Sequence, residues 1–210
     1  MIDLYSWTTP NGRKVSIALE ELGLSYEAHA IDISKDEQFQ PDFLKIAPNN
    51  RIPAIVDRET GISLMESGAI LIYLADKAGA LLPPEGEARY RVIEWLMWQM
   101  GGLGPMAGQA HHFLRANKGA SAYAEERYVE EAKRLYGVLD RRLEGRDYIV
   151  DEYSIADIAC WPWVSRYAWH EVDLDAFPSV KRWYKAIALR PAVQRGYQVP
   201  KHTGDIPMPD

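Results

Sequence analysis

The sequence predicts a small α/β domain followed by an all-α domain. Three observations carry this. Up to about residue 77, short alternating apolar runs and helical periodicities follow one another in the order βαβ and then ββα. The stretch "KAGALLPPEGEA" (77–88) is rich in proline and glycine and poor in apolar contacts, as a linker is. Beyond it, strand patterning almost vanishes and long helical stripes take over. The division expected is residues 1–77, a linker at 78–86, and a helical domain over 87–210 that ends in the irregular tail "QVPKHTGDIPMPD".

Each element has its own signal. Ile2 and Leu4 alternate with polar neighbours in the first strand. Val15, Ala18, Leu19 and Leu22 follow the spacing of one helix face, and Gly23–Leu24 reads as its C-terminal cap. A second strand fits Tyr26–Ile31 and a short helix Pro41–Ile46. "IPAIVD" and "ISLM" flank "RETG" as a hairpin, and Ser67–Lys77 is helical with Ile70, Leu71, Leu74 and Ala75 as its buried face. In the second part, helices are expected over 87–100 and 124–143, with Tyr128, Ala132, Leu135, Leu139 and Leu143 on one stripe. "YSIADIACWPWV" opens another helix, where Ser154 and Asp157 have capping-box spacing and Tyr153 and Ile158 fit the staple positions. A last helix is expected from Pro178 to Arg190, stopping at Pro191.

Composition excludes several classes. The 210 residues carry a net charge of −6, so no basic excess is available to neutralise nucleic-acid phosphates. No apolar run approaches the roughly 20 residues of a membrane span, and "MIDLYSWTTP" has no signal-peptide pattern. One cysteine, Cys160, rules out an internal disulfide and makes a reducing cytoplasm the expected location. It lies in an apolar helix and reads as core. His111 and His112 are adjacent, so on a helix they point about 100° apart, and no carboxylate motif accompanies them. No metal site is expected.

The βαβ–ββα order with a proline heading the third strand ("NNRIPAIVD") resembles the thioredoxin-like pattern. Over essentially its whole length the chain resembles a cytosolic glutathione transferase. The segments "TTPNGRKV", "PNNRIPAIVD", "MESGAILIYLA", "WQMGGLGPMAGQAHHF" and "YSIADIACWPW", in that order, resemble the bacterial nu class, the disulfide-bond-reductase branch, which is also related to the yeast nitrogen-regulatory prion protein. The resemblance implies glutathione as co-substrate, a homodimer, and thiol–disulfide exchange as the preferred reaction.

Glutathione chemistry then gives the turn "SWTTPNGRK" a task. Thr9 and Pro10 are an ordinary helix cap and start. The same turn also has what a thiolate needs. A thiol of pKa near 8.5 is only about 3% ionised at pH 7, and the thiolate is the nucleophile. Lowering its pKa by about 2 units takes roughly 2.7 kcal/mol. A hydrogen bond to a charged group supplies about 1.5–3 kcal/mol and a helix N-terminus about 0.3–1. No base is required. Thr9, as hydroxyl donor, and Asn11, by amide or side chain, are the candidates, and the resemblance implies the same pair. Tyr5, Ser6 and Thr8 compete, with Tyr5 placed by strand alternation on the other face.

Other contacts follow. A cis bond at Ile52–Pro53 would leave the backbone of Ile52 to pair with the cysteinyl part of glutathione. Asn50 and Arg51 are candidates for the tripeptide's polar periphery, with Arg51 equally readable as a solvated charge. Ser67, at a helix N-terminus, suits a carboxylate and Glu66 an ammonium, and the γ-glutamyl end of glutathione has both. The resemblance adds Gln38 as a contact, and it lets Arg127, otherwise an exposed helix charge, reach the carboxylate of a second glutathione. Residues 94–113, rich in Trp, Met and Gly, read mostly as core and dimer contact; the alternative is that the pairs Gly101–Gly102 and Gly104–Pro105 break the helix and make room for a second substrate. Two other functions remain open on the sequence: a conventional transferase acting on electrophiles, and a non-catalytic regulator. Peroxide reduction is an expected side activity.

Overall fold

The computed structural model describes all residues from Met1 to Asp210. The chain forms two compact units, Met1–Pro84 with Leu189–Ile206, and Glu85–Ala188 with Pro207–Asp210. This differs from the expected division at the C-terminal end.

The first unit is built on a four-stranded sheet in the order β2-β1-β3-β4. Strands β1 (Ile2–Ser6) and β2 (Tyr26–Ala30) run parallel, while β3 (Ala54–Asp57) is antiparallel to β1 and β4 (Ser63–Met65) is antiparallel to β3. Helix α1 (Pro10–Leu22) joins the parallel pair and ends at Gly23, whose φ of 62° needs no side chain. The Leu24 amide reaches back to Leu19 O at 3.1 Å, closing the expected cap. Helix α2 (Pro41–Ile46) packs on β3 and β4, where Phe43, Ala47 and Ala54 form a small core with Tyr5, Ile52 and Met65. Because Leu4 and Ile55 are the alternate positions on their strands, they point to the opposite face, and both are fully buried. Helix α3 (Ser67–Ala78) packs against α1.

Helix α9 (Pro191–Tyr197) was not expected. Pro191 does not merely stop the preceding helix; it takes the first position of a new one, where its missing N–H costs nothing. This short helix lies on α1 so closely that a Cβ on Gly196 would stand 2.6 Å from Ile17 Cα. Ser16 Oγ donates to Gly196 O at 2.7 Å, and Arg190 grips Glu21 through two bonds of 2.6 and 2.9 Å. Covered by α3 and α9, α1 buries every residue from Gly12 to Leu19, Arg13 and Lys14 included.

The second unit is helical: α4 (Gly86–Trp98), α5 (Gly104–His111), α6 (Ala122–Leu143), α7 (Ile155–Val164) and α8 (Pro178–Ala188). The glycine pairs do not break the helix. Residues 99–103 widen into a π turn and the helix continues into α5, with a second π turn at 112–116. Gly104 and Gly108 let this helix approach Trp163, whose atoms would lie 3.3 Å from a Cβ at either position. The predicted capping box at Ser154 and Asp157 is formed. The Asp157 carboxylate also accepts from Ile149 N and Trp183 Nε1 at 2.9 and 2.8 Å. Burial pushes its pKa up to about 6 against the pull of these donors.

Candidate functional site

Strand register gathers the predicted residues of the first unit at one edge of the sheet. Tyr5 pairs with Ala54 and Ala54 with Met65, so the turn after β1, the Ile52–Pro53 peptide before β3 and the Glu66–Ser67 start of α3 leave adjacent strands side by side. Because β2 is parallel to β1, with Ser6 opposite Ala30, the segment leading to Gln38 leaves from that edge too. This is the edge where ligands sit in open α/β sheets.

Thr9 is the N-cap of α1. Its Oγ1 accepts from the Gly12 amide at 3.2 Å, and Pro10 and Asn11 hold the first two helical positions. The ordinary cap is therefore formed, in a geometry compatible with the other reading. Accepting from Gly12 uses a lone pair of the hydroxyl and leaves its O–H to donate. Gly12 is required: a Cβ there would fall 2.2 Å from Trp7 O and 2.4 Å from Ser6 Oγ. The Asn11 amide belongs to the first turn, whose N–H groups point out of the helix end, and no acidic side chain occupies that turn. Two of the competitors stand elsewhere. Tyr5 stacks on His29 at 4.8 Å and tilts onto Phe43 of α2, on the opposite face, as alternation predicts. Ser6 is buried and donates to Trp7 O at 3.4 Å.

The Ile52–Pro53 peptide is cis. Before it, Asn50 has a positive φ of 46° and bonds back to Ala47 O at 2.8 Å, while Arg51 is exposed. Across the hairpin, Glu66 is the N-cap of α3 with φ 70° and ψ 111°, makes no side-chain cap bond, and is exposed. A non-glycine residue held in such a region carries strain of about 1–3 kcal/mol, of the kind that clusters at ligand clamps. Ser67 is buried at the first position of α3, where Lys14 Nζ donates to its Oγ at 3.2 Å.

Gln38 lies in a single turn of 3-10 helix, 8% exposed. Its Nε2 reaches Asp36 at 3.5 Å, and its Oε1 is buried with no protein donor. Arg127 belongs to the second unit. It is exposed on α6, in a shallow groove of about 590 Å³ that it shares with Tyr123, Glu126, Glu130, Glu131 and Arg134.

Sequence reasoning missed Lys14 and Arg13. A signal was present: two basic residues near the start of a helix whose first turn holds no acidic residue run against the helix dipole. Arg13 turns to α9, with Nε on Tyr197 O at 3.1 Å and its guanidinium 3.5 Å above the Tyr197 ring.

Elsewhere, Asp3, Glu27 and His29 bring ligand-type atoms within 4.8 Å of one another. Arg58 already bonds both carboxylates, through Nε to Asp3 and Nη2 to Glu27 at 2.6 Å each, and so occupies the place of a cation. That bond, with His29 and against burial, holds Asp3 down at about 2. His111 stacks on His170 at 4.6 Å, and His170 Nδ1 lies 3.0 Å from the Tyr136 hydroxyl. His112 packs edge-on to Phe113. No helix is long and apolar enough to cross a membrane.

With this geometry in hand, the chain can be set beside known proteins. Residues 1–76 match the family "Glutathione S-transferase, N-terminal domain" and residues 102–191 match "Glutathione S-transferase, C-terminal domain". The chain is 51% identical over 198 residues to the disulfide-bond oxidoreductase YfcG of Escherichia coli, covering 91% of this chain and 92% of that protein. A solved glutathione transferase family member from Pseudomonas fluorescens, with two glutathiones bound, superposes with a TM-score of 0.91 at 52% identity, covering 95% of this chain and 93% of that one. A glutathione transferase from Pseudomonas putida, with one glutathione disulfide bound per subunit, gives 0.91 at 47% identity over 95% of this chain and 91% of its own. The fold and these likenesses, which run the length of both halves, place the chain in the glutathione S-transferase family.

Proposed function

We propose that this protein is a glutathione-dependent disulfide-bond oxidoreductase of the nu-class type, in which substrate supplies every reacting thiol. One observation carries this. The sheet edge holds a hydroxyl-capped helix end, while the chain's one cysteine is fully buried in α7 of the other unit. The protein then has to bind and ionise a thiol, and does not have to provide one.

The chemistry balances in two exchanges. Thr9 and the first amides of α1, with Asn11, stabilise the glutathione thiolate, whose proton is released. The thiolate attacks one sulfur of a disulfide, forming a mixed disulfide and expelling the other sulfur as a thiolate. A second glutathione thiolate attacks the glutathione sulfur of that product, giving glutathione disulfide and the second reduced thiol. The released protons end on the two leaving thiolates. Two molecules of glutathione are oxidised as one disulfide is reduced.

The remaining predicted residues take binding roles. Ile52 offers backbone groups to the cysteinyl residue, Asn50 and Arg51 the polar periphery, and the orphaned Gln38 Oε1 an acceptor for a ligand N–H. Glu66 and Ser67 take the γ-glutamyl head, and Arg127 the carboxylate of a second glutathione. The Pseudomonas relatives, one with two glutathiones and one with glutathione disulfide, support a site of that capacity. A homodimer belongs to this reading, with Tyr90 and Met97, 70% and 49% exposed on α4, as apolar surface for a second copy. So does a cytoplasmic location, where glutathione is kept reduced.

The test is an assay of the purified protein with glutathione against hydroxyethyl disulfide and against chlorodinitrobenzene. Disulfide reduction should be the faster reaction. Fast conjugation with negligible reduction would make it a conventional transferase, and failure to bind glutathione by calorimetry would make it a regulator.

A further inference from the structure

The irregular chain after α9 is held in one place. Arg13, buried in α1, donates from Nε to Tyr197 O and from Nη2 to Thr203 Oγ1, both at 3.1 Å. Across the base of the loop, Gln198 Nε2 donates to Gly204 O at 3.3 Å. The Arg13 amide in turn donates to Thr9 O at 3.0 Å, which ties the loop to the first turn of α1. From this loop the exposed Lys201 lays its ammonium over the Trp7 ring, with Nζ 4.2 Å from the centroid. The face of an indole attracts a cation. Trp7 is also the residue whose carbonyl accepts from the Thr9 amide at 2.7 Å. A positive charge is thus fixed beside the turn that carries Thr9.

We propose that Lys201 is a specificity-determining residue that makes the thiol turn selective for disulfides carrying carboxylates. The inference rests on the reading that glutathione reduces a disulfide at the Thr9 turn. The chain carries a net charge of −6, so its long-range field repels an anionic disulfide. A cation fixed beside the turn reverses that sign locally. A lysine on a loose tail would contribute little, because ordering a long side chain against a charge costs entropy. Here Arg13 has already ordered the loop, and Trp7 has placed the ammonium. Exposure keeps the effect short in range, about 8 Å at physiological salt. Only a carboxylate close to the disulfide sulfurs feels it, so the charge sorts substrates by what flanks the bond to be broken.

The experiment measures kcat/KM on the intact protein at saturating glutathione for three disulfides of similar size: dithiodipropionate, which is anionic, hydroxyethyl disulfide, which is neutral, and cystamine, which is cationic. Lys201→Met should lower the anionic value by about 5-fold, change the neutral one by less than about 2-fold, and raise the cationic one by about 2-fold. Lys201→Arg should keep the wild-type values. In about 1 M salt, where screening shortens to about 3 Å, wild type and Lys201→Met should converge on the anionic substrate. The proposal is overturned if Lys201→Met leaves the anionic value unchanged, or if it lowers all three alike, as loss of a mere brace for Trp7 would. A wild type that reduces none of the three would instead overturn the reductase reading itself.

Discussion

The Gly12 amide donates to the Thr9 hydroxyl oxygen at 3.2 Å, so one side chain both caps α1 and keeps its own hydrogen to donate outward. Under the proposed function, cap and thiolate donor are the same group used from two sides, and the turn then needs neither a cysteine nor a base. It also links stability to catalysis at a single position: Thr9→Ala should cost about 1 kcal/mol of stability as a lost cap as well as most of the rate.

Gly12→Ala tests the geometry of the turn. In an ordinary helix position the change would stabilise by about 1 kcal/mol. Here the new Cβ meets the backbone oxygen of Trp7 at 2.2 Å, so the turn carrying Thr9 must move. The expected outcome is a drop in kcat of about 10-fold or more, with stability lowered in urea titration. A variant more stable than wild type and equally active would show that the close approach is not there.

Glu66→Gly should trade function for stability. Relieving a non-glycine residue at φ 70° returns about 0.5–1 kcal/mol after the entropy of the new glycine is counted. Losing the carboxylate proposed to meet the ligand ammonium should raise KM for glutathione by about 10-fold. Denaturant midpoints and steady-state kinetics on the same preparation check both halves.

The stacked pair of His111, partly buried, and His170, fully buried, predicts acid sensitivity. Burial, with Arg166 and Arg115 nearby, pushes His111 down to about 4, and burial, with His111 and Arg166, holds His170 well below the usual histidine value. A histidine whose folded pKa lies below its unfolded value near 6.5 stabilises fully only above that value, and the contribution drains away as pH falls. Asp157, pushed up to about 6, works the other way over the same range. Comparison with His111→Phe removes that offset. Between about pH 7 and pH 5 the variant should lose about 2 kcal/mol less stability than wild type. Parallel curves would refute the assignment.

Gly196→Ala tests α9. A Cβ at this position would lie 2.6 Å from the Ile17 backbone, so the substitution should destabilise by about 2 kcal/mol or more despite its better helix propensity. Thermal unfolding reads the sign directly.

Much of this was legible in the sequence because it is local. The Gly23 cap, the Ser154–Asp157 box, and the Tyr5 orientation by alternation all follow from spacings of a few residues. The helix starts after Thr9 and at Ser67 could be read for the same reason. What the sequence hid is long-range. Lys14 and Ser67 are 53 residues apart, and Arg13 and Tyr197 are 184 apart. Helix α9 looked like a chain end because Pro191 both stops and starts helices. The glycine pairs looked like a break because sequence periodicity does not distinguish an interrupted helix from one widened into a π turn.

The most direct test is the pKa of the bound thiol. Glutathione is titrated in complex with the protein, and the thiolate is followed by its ultraviolet absorption. The expected midpoint lies about 2 units below the free thiol's value near 8.5, moving most of the way back in Thr9→Val and staying low in Thr9→Ser. A bound thiol that ionises as it does in water, or one equally acidic in Thr9→Val, would contradict it.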